Sequence, residues 1–235
     1  MNYISFCLNI LYLSLYCGSL NFSYNKMSTL LTYIDNNHKL SDTKKLYVTK
    51  NIIKSVVLLI LSLYSPIVIY NIYHTQYWNN QLMNHIGSLY VSNDIIGLLR
   101  VKRIHLTTKI HHITTTTLLL YSFTIDFNNN IIGKLIFIYC MLSCYSFLVN
   151  FYLGVRFLKG HRIVKEYIES LRKGALYIYV GSCAVNWSTQ LYIIINTLYI
   201  GFMYQICLYM FILIPIIIDD IKLIKWLYEK KNIDL

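Results

Sequence analysis

From residue 175 to residue 218 the chain runs for 44 residues without a charged side chain. As one helix this run would be about 66 Å long at 1.5 Å per residue, roughly twice the hydrocarbon thickness of a bilayer. It is therefore predicted to fold back as two membrane spans. Asn196-Thr197 is one place for the turn, and residues 187–190 are the other. Five more mostly apolar stretches of about the spanning length precede it, at 3–22, 55–73, 82–99, 110–127 and 135–153. The predicted fold class is all-α: a polytopic membrane protein of seven transmembrane helices. The first stretch lacks a basic start and a small-residue cleavage site, so it reads as a retained span and not a signal peptide.

Composition agrees. Charged residues make up 13% of the 235 residues, against 56% hydrophobic. So few charges cannot coat a globular surface, and so apolar a chain is not disordered. Ala and Pro occur twice each while Asn, Ile, Lys and Tyr abound. That pattern points to an AT-rich coding sequence, as in some parasites and large DNA viruses.

What charge there is sums to +11, which by itself would suggest nucleic acid. Placing the 21 basic residues removes that reading. Twenty fall in alternate links: residues 21–54, 100–109, 156–173 and the segment after 218. Lys134 alone falls in the others. This asymmetry is the positive-inside pattern. It predicts a non-cytosolic N-terminus, a cytosolic C-terminus and no nucleic-acid partner. The predicted organisation is an N-terminal helix with a basic cytosolic linker (1–45), a six-helix membrane domain (46–227) and a short cytosolic tail (228–235). The tail from residue 221 to 231 either lies along the interface or extends the last helix.

An acidic residue inside a span is costly and points to function. Only Asp94 lies clearly inside one, while Asp126, Lys134 and Asp219-Asp220 sit at span ends. Asp94 lies five residues from the end of its span, about 8 Å deep. The pair His111-His112 opens the next span from the same side, so all three are predicted at similar depth on adjacent helices. A carboxylate beside an imidazole orients it for acid–base chemistry. The alternative is a helix-packing role for Asp94. No two of the seven histidines are three or four residues apart, so no metal is expected. Thr114–Thr117, Asn150, Asn186 and Gln190 are further polar groups inside spans, predicted either to line an internal cavity or to tie helices together.

The order of these residues resembles the TLC domain, named for the translocating-chain-associating, longevity-assurance and ceroid-lipofuscinosis proteins. The matching stretch, residues 88–112, reads SLYVSNDIIGLLRVKRIHLTTKIHH. The basic lead-in at 42–54 is similar, as is LSCYSFLVNFYLGVRFL at 142–158, with Asn150 and Arg156 at the family's Asn and Arg. The resemblance covers about residues 46 to 226. It implies a helical bundle around a lipid-accommodating cavity, in the endoplasmic reticulum or a host membrane, with membrane lipids as partners and no cofactor. In the ceramide synthase branch the His pair belongs to an acyl-CoA-dependent N-acyltransferase site. Carried over, His111 or His112 would be the general base and Asp94 its orienting partner. The synthases' acidic residues before the His pair are missing from 104–109, their His-Asp is missing from 135–153, and Ser143 stands where other members often have Glu. The chain is thus more similar to the small non-synthase members. Binding, sensing or transport of a long-chain lipid is the first expectation. Acyl transfer with acyl-CoA as co-substrate is the second, and a structural or translocon-associated role the third. The cavity residues expected are Asp94, His111, His112, Asn150, Asn186 and Gln190.

Overall fold

The computed structural model describes residues 3–34, 40–101, 104–158, 162–198 and 203–229. These residues are helical throughout, joined by turns, with no strand among them. In chain order they are α1 (Tyr3–Ile34), α2 (Asp42–Thr75), α3 (Asn80–Arg100), α4 (Leu106–Ser122), α5 (Ile131–Ser143), α6 (Phe147–Val155), α7 (Arg162–Leu198) and α8 (Met203–Glu229). A 3₁₀ turn at Cys144–Ser146 joins α5 to α6, and a second, Arg156–Leu158, follows α6.

Among the described residues, three helical stretches are long and apolar enough to cross a membrane: Tyr3–Tyr33, Asp42–Thr75 and Ile131–Leu158. Helix α1 has a surface compatible with a membrane span. Its buried face is a narrow stripe of Asn9, Leu13, Leu20, Tyr24 and Leu31, while Leu8, Leu11, Leu15, Phe22 and Leu30 stand outside. The exposed face is as apolar as the buried one, which suits lipid and not water. Helices α2, α7 and α8 repeat this, with Ile60, Leu63, Leu191 and Phe211 outermost. Many of the buried residues, by contrast, are polar: Lys50, Lys54, Ser88, Ser92, Asn93, Asp94 and His112. Polarity has moved inside.

Local signals set the helix ends. Asn79 caps α3 by accepting from the Leu82 N–H at 3.1 Å, and Asn130 caps α5 by accepting from Gly133 at 2.8 Å. Helix α2 ends at Gln76, whose left-handed φ of 53° lets its N–H reach the Ile72 carbonyl. Arg100 fastens the end of α3 to α1 by donating to Asn21 Oδ1 at 2.8 and 2.5 Å and to Asn25 Oδ1 at 3.0 Å. Helix α2 packs against α1, α3, α5 and α6, and its tightest seam is with α6. There Gly154 brings the backbones together: a Cβ on it would lie 2.9 Å from Ile52 Cγ1 and 3.4 Å from the Val48 carbonyl.

Three expectations are corrected. Neither predicted turn breaks the last long run, because α7 continues through residues 187–197 to Leu198. Polar groups in and beside the predicted turns find donors or acceptors without leaving the helix. Thr197 donates to the Ile193 carbonyl at 2.7 Å, and Asn186 and Gln190 reach across to α5. Helix α7 ends at Leu198 and α8 starts at Met203, and residues 199–202 lie outside the described residues. The first stretch, expected to end at residue 22, continues as α1 to Ile34, and α2 starts at Asp42, ahead of the second stretch. The fourth stretch ends early, at Ser122, and 123–130 form a turn organised by Asp126. After Ile218, α8 continues through Glu229, the helical-extension alternative. The remaining tail and its Lys230-Lys231 lie outside the described residues.

Candidate functional site

Asp94 sits on the buried face of α3 with no exposed surface. Its Oδ1 accepts from Lys54 Nζ at 2.5 Å and lies 3.1 Å from His112 Nδ1. Its Oδ2 faces the Thr115 hydroxyl at 3.2 Å. Helices α2, α3 and α4 thus converge on one carboxylate. The His112 contact is ionic in distance but short of hydrogen-bond alignment.

The other ring nitrogen of His112, Nε2, is 3.2 Å from Lys50 Nζ. An ammonium only donates, so Nε2 must be the acceptor. The proton of neutral His112 therefore sits on Nδ1, facing Asp94. One tautomer follows from the two partners: Asp94 on one edge of the ring, Lys50 on the other. Lys50 and Lys54 lie four apart on α2, one helical turn, which puts both on the face toward α3 and α4.

His111 points elsewhere, with its ring centre 5.6 Å from that of His112. Its Nδ1 lies 3.4 Å from Asp219 Oδ2 on α8, and Asp219 Oδ1 accepts from Thr108 at 3.1 Å. The neighbouring Asp220 is buried and accepts two phenol donors, Tyr139 at 2.6 Å and Tyr179 at 2.8 Å. Each carboxylate therefore has its own donors.

Between these helices lies a cavity of about 300 Å³. Lys50, Lys54, His111, His112, Asp219 and Asp220 line it, with Asn150 and Asn186. Asn150 donates back to the Ser146 carbonyl at 3.0 Å. Asn186 donates to the Tyr139 carbonyl at 3.2 Å and leaves its own Oδ1 buried without a partner. Tyr90 and His111 also border a narrower space of about 60 Å³, walled by Val91, Leu118, Leu119, Phe137, Leu213 and Ile216. A polar chamber and an apolar slot thus share one wall.

Not every expected residue lines the chamber. Asp94 lies behind it, reaching it through His112 and Lys54. Gln190 is a tie between helices: it donates to the Leu135 carbonyl at 3.1 Å and accepts from Tyr209 at 2.9 Å. The threonine run mostly bonds back onto α4, with Thr116 and Thr117 donating to the carbonyls of His112 and Ile113. Lys50, Lys54, Asp219 and Asp220 were not expected here. The lysines read as topology charges and the aspartates as span-end groups. The one signal in the sequence is that Lys50 and Lys54 lie one helical turn apart directly before an apolar run.

Asp94, His111 and His112 bring ligand atoms within 4.8 Å of one another, close enough to hold a metal ion. The surroundings do not favour one. Asp94 Oδ1 and His112 Nε2 already face the ammoniums of Lys54 and Lys50, and a cation there would meet two like charges.

At the other end of the chamber, Arg156 stacks on aromatic rings. Its guanidinium carbon is 4.6 Å from the centres of both Trp226 and Phe157, and 5.7 Å from that of Tyr47. This joins α2 and α8 beyond Asn150.

Compared with known proteins, the chain matches no family model, no curated sequence and no solved structure.

Proposed function

We propose that this chain is a seven-span membrane protein that holds a long-chain lipid inside its helical bundle. The observation that carries the reading is the polar chamber of about 300 Å³ sharing a wall with an apolar slot. A lipid has the same two-part chemistry, and 300 Å³ lies at the lower end of ordinary ligand pockets. The apolar exterior and polar interior support the membrane setting, and the alternation of basic links supports seven spans with a cytosolic C-terminus. The resemblance to the TLC domain, resting on the residues quoted above, supports a lipid ligand.

Native mass spectrometry of the detergent-purified chain tests this. A retained lipid is expected, lost or exchanged in His112→Ala. Bare protein in both cases overturns the reading.

Acyl transfer is the second reading, and the Asp94–His112 contact is what favours it. An oriented imidazole suits a general base, but that base needs an open nitrogen. Here Nε2 faces Lys50, which favours holding over turnover. Membranes supplied with labelled acyl-CoA and a sphingoid base would decide: product made by the wild type and not by Asp94→Asn supports the transferase.

A further inference from the structure

Lys50 is 6% exposed, lines the chamber, and is paired with no carboxylate among the described residues. Its one polar contact there is His112 Nε2, a neutral acceptor. The nearest carboxylate on this wall, Asp94, is already taken: Lys54 at 2.5 Å, the His112 edge at 3.1 Å and Thr115 at 3.2 Å fill both its oxygens. The carboxylates of the opposite wall form no ion pair with Lys50 among the described residues. Asp219 is engaged by His111 and Thr108, and Asp220 by two tyrosines. Lys222 also borders the chamber and adds another positive group.

A buried ammonium whose charge is not matched costs several kcal/mol unless something supplies the opposite charge. Of its three donors, one meets the single acceptor it has among the described residues, and the side chain lines the chamber. Gly97 keeps the lysine stem in place. A Cβ there would lie 2.9 Å from Lys50 Cε, so a larger residue would push the side chain aside.

We propose that Lys50 is the headgroup-binding residue of the chamber, and that the ligand is an amphiphile with an oxyanion head, a phosphate monoester or a carboxylate. This rests on the lipid-holding reading and names the class of lipid. The head sits on the ammonium of Lys50 and supplies the ion pair that Asp94, held by Lys54, does not. The chain leaves the chamber past Tyr90 and His111, where the apolar slot of about 60 Å³ receives its first carbons. Lys54 holds Asp94, and Asp94 holds the ring of His112, so Lys50 is aimed by the network behind it. A ligand with a neutral head would leave the ammonium as uncompensated as in the empty chamber.

The test uses the full chain in lipid nanodiscs and three probes: oleoyl lysophosphatidate, mono-oleoylglycerol with the same tail and no charge, and inorganic phosphate. Wild type should bind the lysophosphatidate at least tenfold more tightly than the glyceride. Lys50→Gln should bring that ratio close to one, and Lys50→Arg should keep most of it. Equal affinities in the wild type, or a ratio unchanged in Lys50→Gln, would overturn the inference. Inorganic phosphate competing as well as the lysophosphatidate would overturn the amphiphile and leave a free-anion site. If neither oleoyl lipid binds the wild type, the lipid-holding reading itself fails. If both bind regardless of Lys50, only the headgroup assignment fails. A wild-type melting profile for Lys50→Gln, with retention of mono-oleoylglycerol binding, separates loss of the headgroup contact from misfolding.

Discussion

Replacing Asp94 with Asn tests the network most directly. The substitution keeps the volume, so it opens no cavity, and its effect is almost wholly electrostatic. Asp94 is fully buried and is paired with the ammonium of Lys54, itself under 10% exposed. Removing one partner of a buried ion pair typically costs 3–5 kcal/mol, because the other charge is left without compensation. A surface pair would cost under about 1 kcal/mol, and the burial of Asp94 decides between these. Asp94→Asn should therefore destabilise the protein by about 3–5 kcal/mol. Lys54→Met on the same background should recover much of that loss, since it removes the orphaned charge. The assay is equilibrium unfolding in mixed micelles, run as a double-mutant cycle on wild type, both single variants and the pair. A coupling energy of about 2 kcal/mol or more is expected for groups in contact. If Asp94→Asn unfolds within about 0.5 kcal/mol of wild type, or the two losses simply add, the buried pair does not hold these helices together. Should Asp94→Asn fail to accumulate, recovery of a monodisperse protein by the second substitution gives the same answer.

Two further predictions follow from the seam and the turn. Gly154→Val should destabilise the α2–α6 seam by about 1–3 kcal/mol or more, because the new Cβ meets Ile52 and the Val48 carbonyl and backbone cannot move aside cheaply; Gly181→Ala, where a Cβ meets nothing within 4 Å, is the control in the same unfolding assay. In the turn between α4 and α5, hydrogen bonds from Asn80, then from Asn128 and Asn129, hold the Asp126 carboxyl below its usual pKa. A lowered folded-state pKa gives stability that is present above the ordinary aspartate value, about 4, and lost as pH falls through the lowered one; melting curves should show this acid loss in the wild type and a shallower one in Asp126→Asn.

How much was legible varies by residue. Each apolar stretch read from the sequence lies mainly within helix, because runs of that length leave the backbone no other way to satisfy itself in lipid. The meeting of Asp94 with His112 was also legible, from matched depth on successive helices. The role of Lys50 was not. In the sequence it is one of six basic residues in a link, and the same letters would serve a solvated loop. Gln190 failed the other way: a polar residue inside an apolar run fits a cavity or a helix tie equally well, and only the neighbouring Leu135 and Tyr209 distinguish them.

The sequence alone determined that the fold is helical and that its helices are apolar enough to suit a membrane. Forty-four uncharged residues in one run and twenty basic residues in alternate links depend on nothing but order along the chain, and hydrophobic transfer reads that order directly. Tertiary structure decided which charges are partnered. Whether a lysine is a membrane anchor or a ligand-binding ammonium depends on what stands within 3–4 Å of it, and those neighbours come from α3 and α4, far away in sequence. The physical reason is range. Burial of apolar surface sums over whole helices, so a pattern suffices to predict it, while hydrogen bonds and ion pairs decay within a few ångströms and follow only from packing.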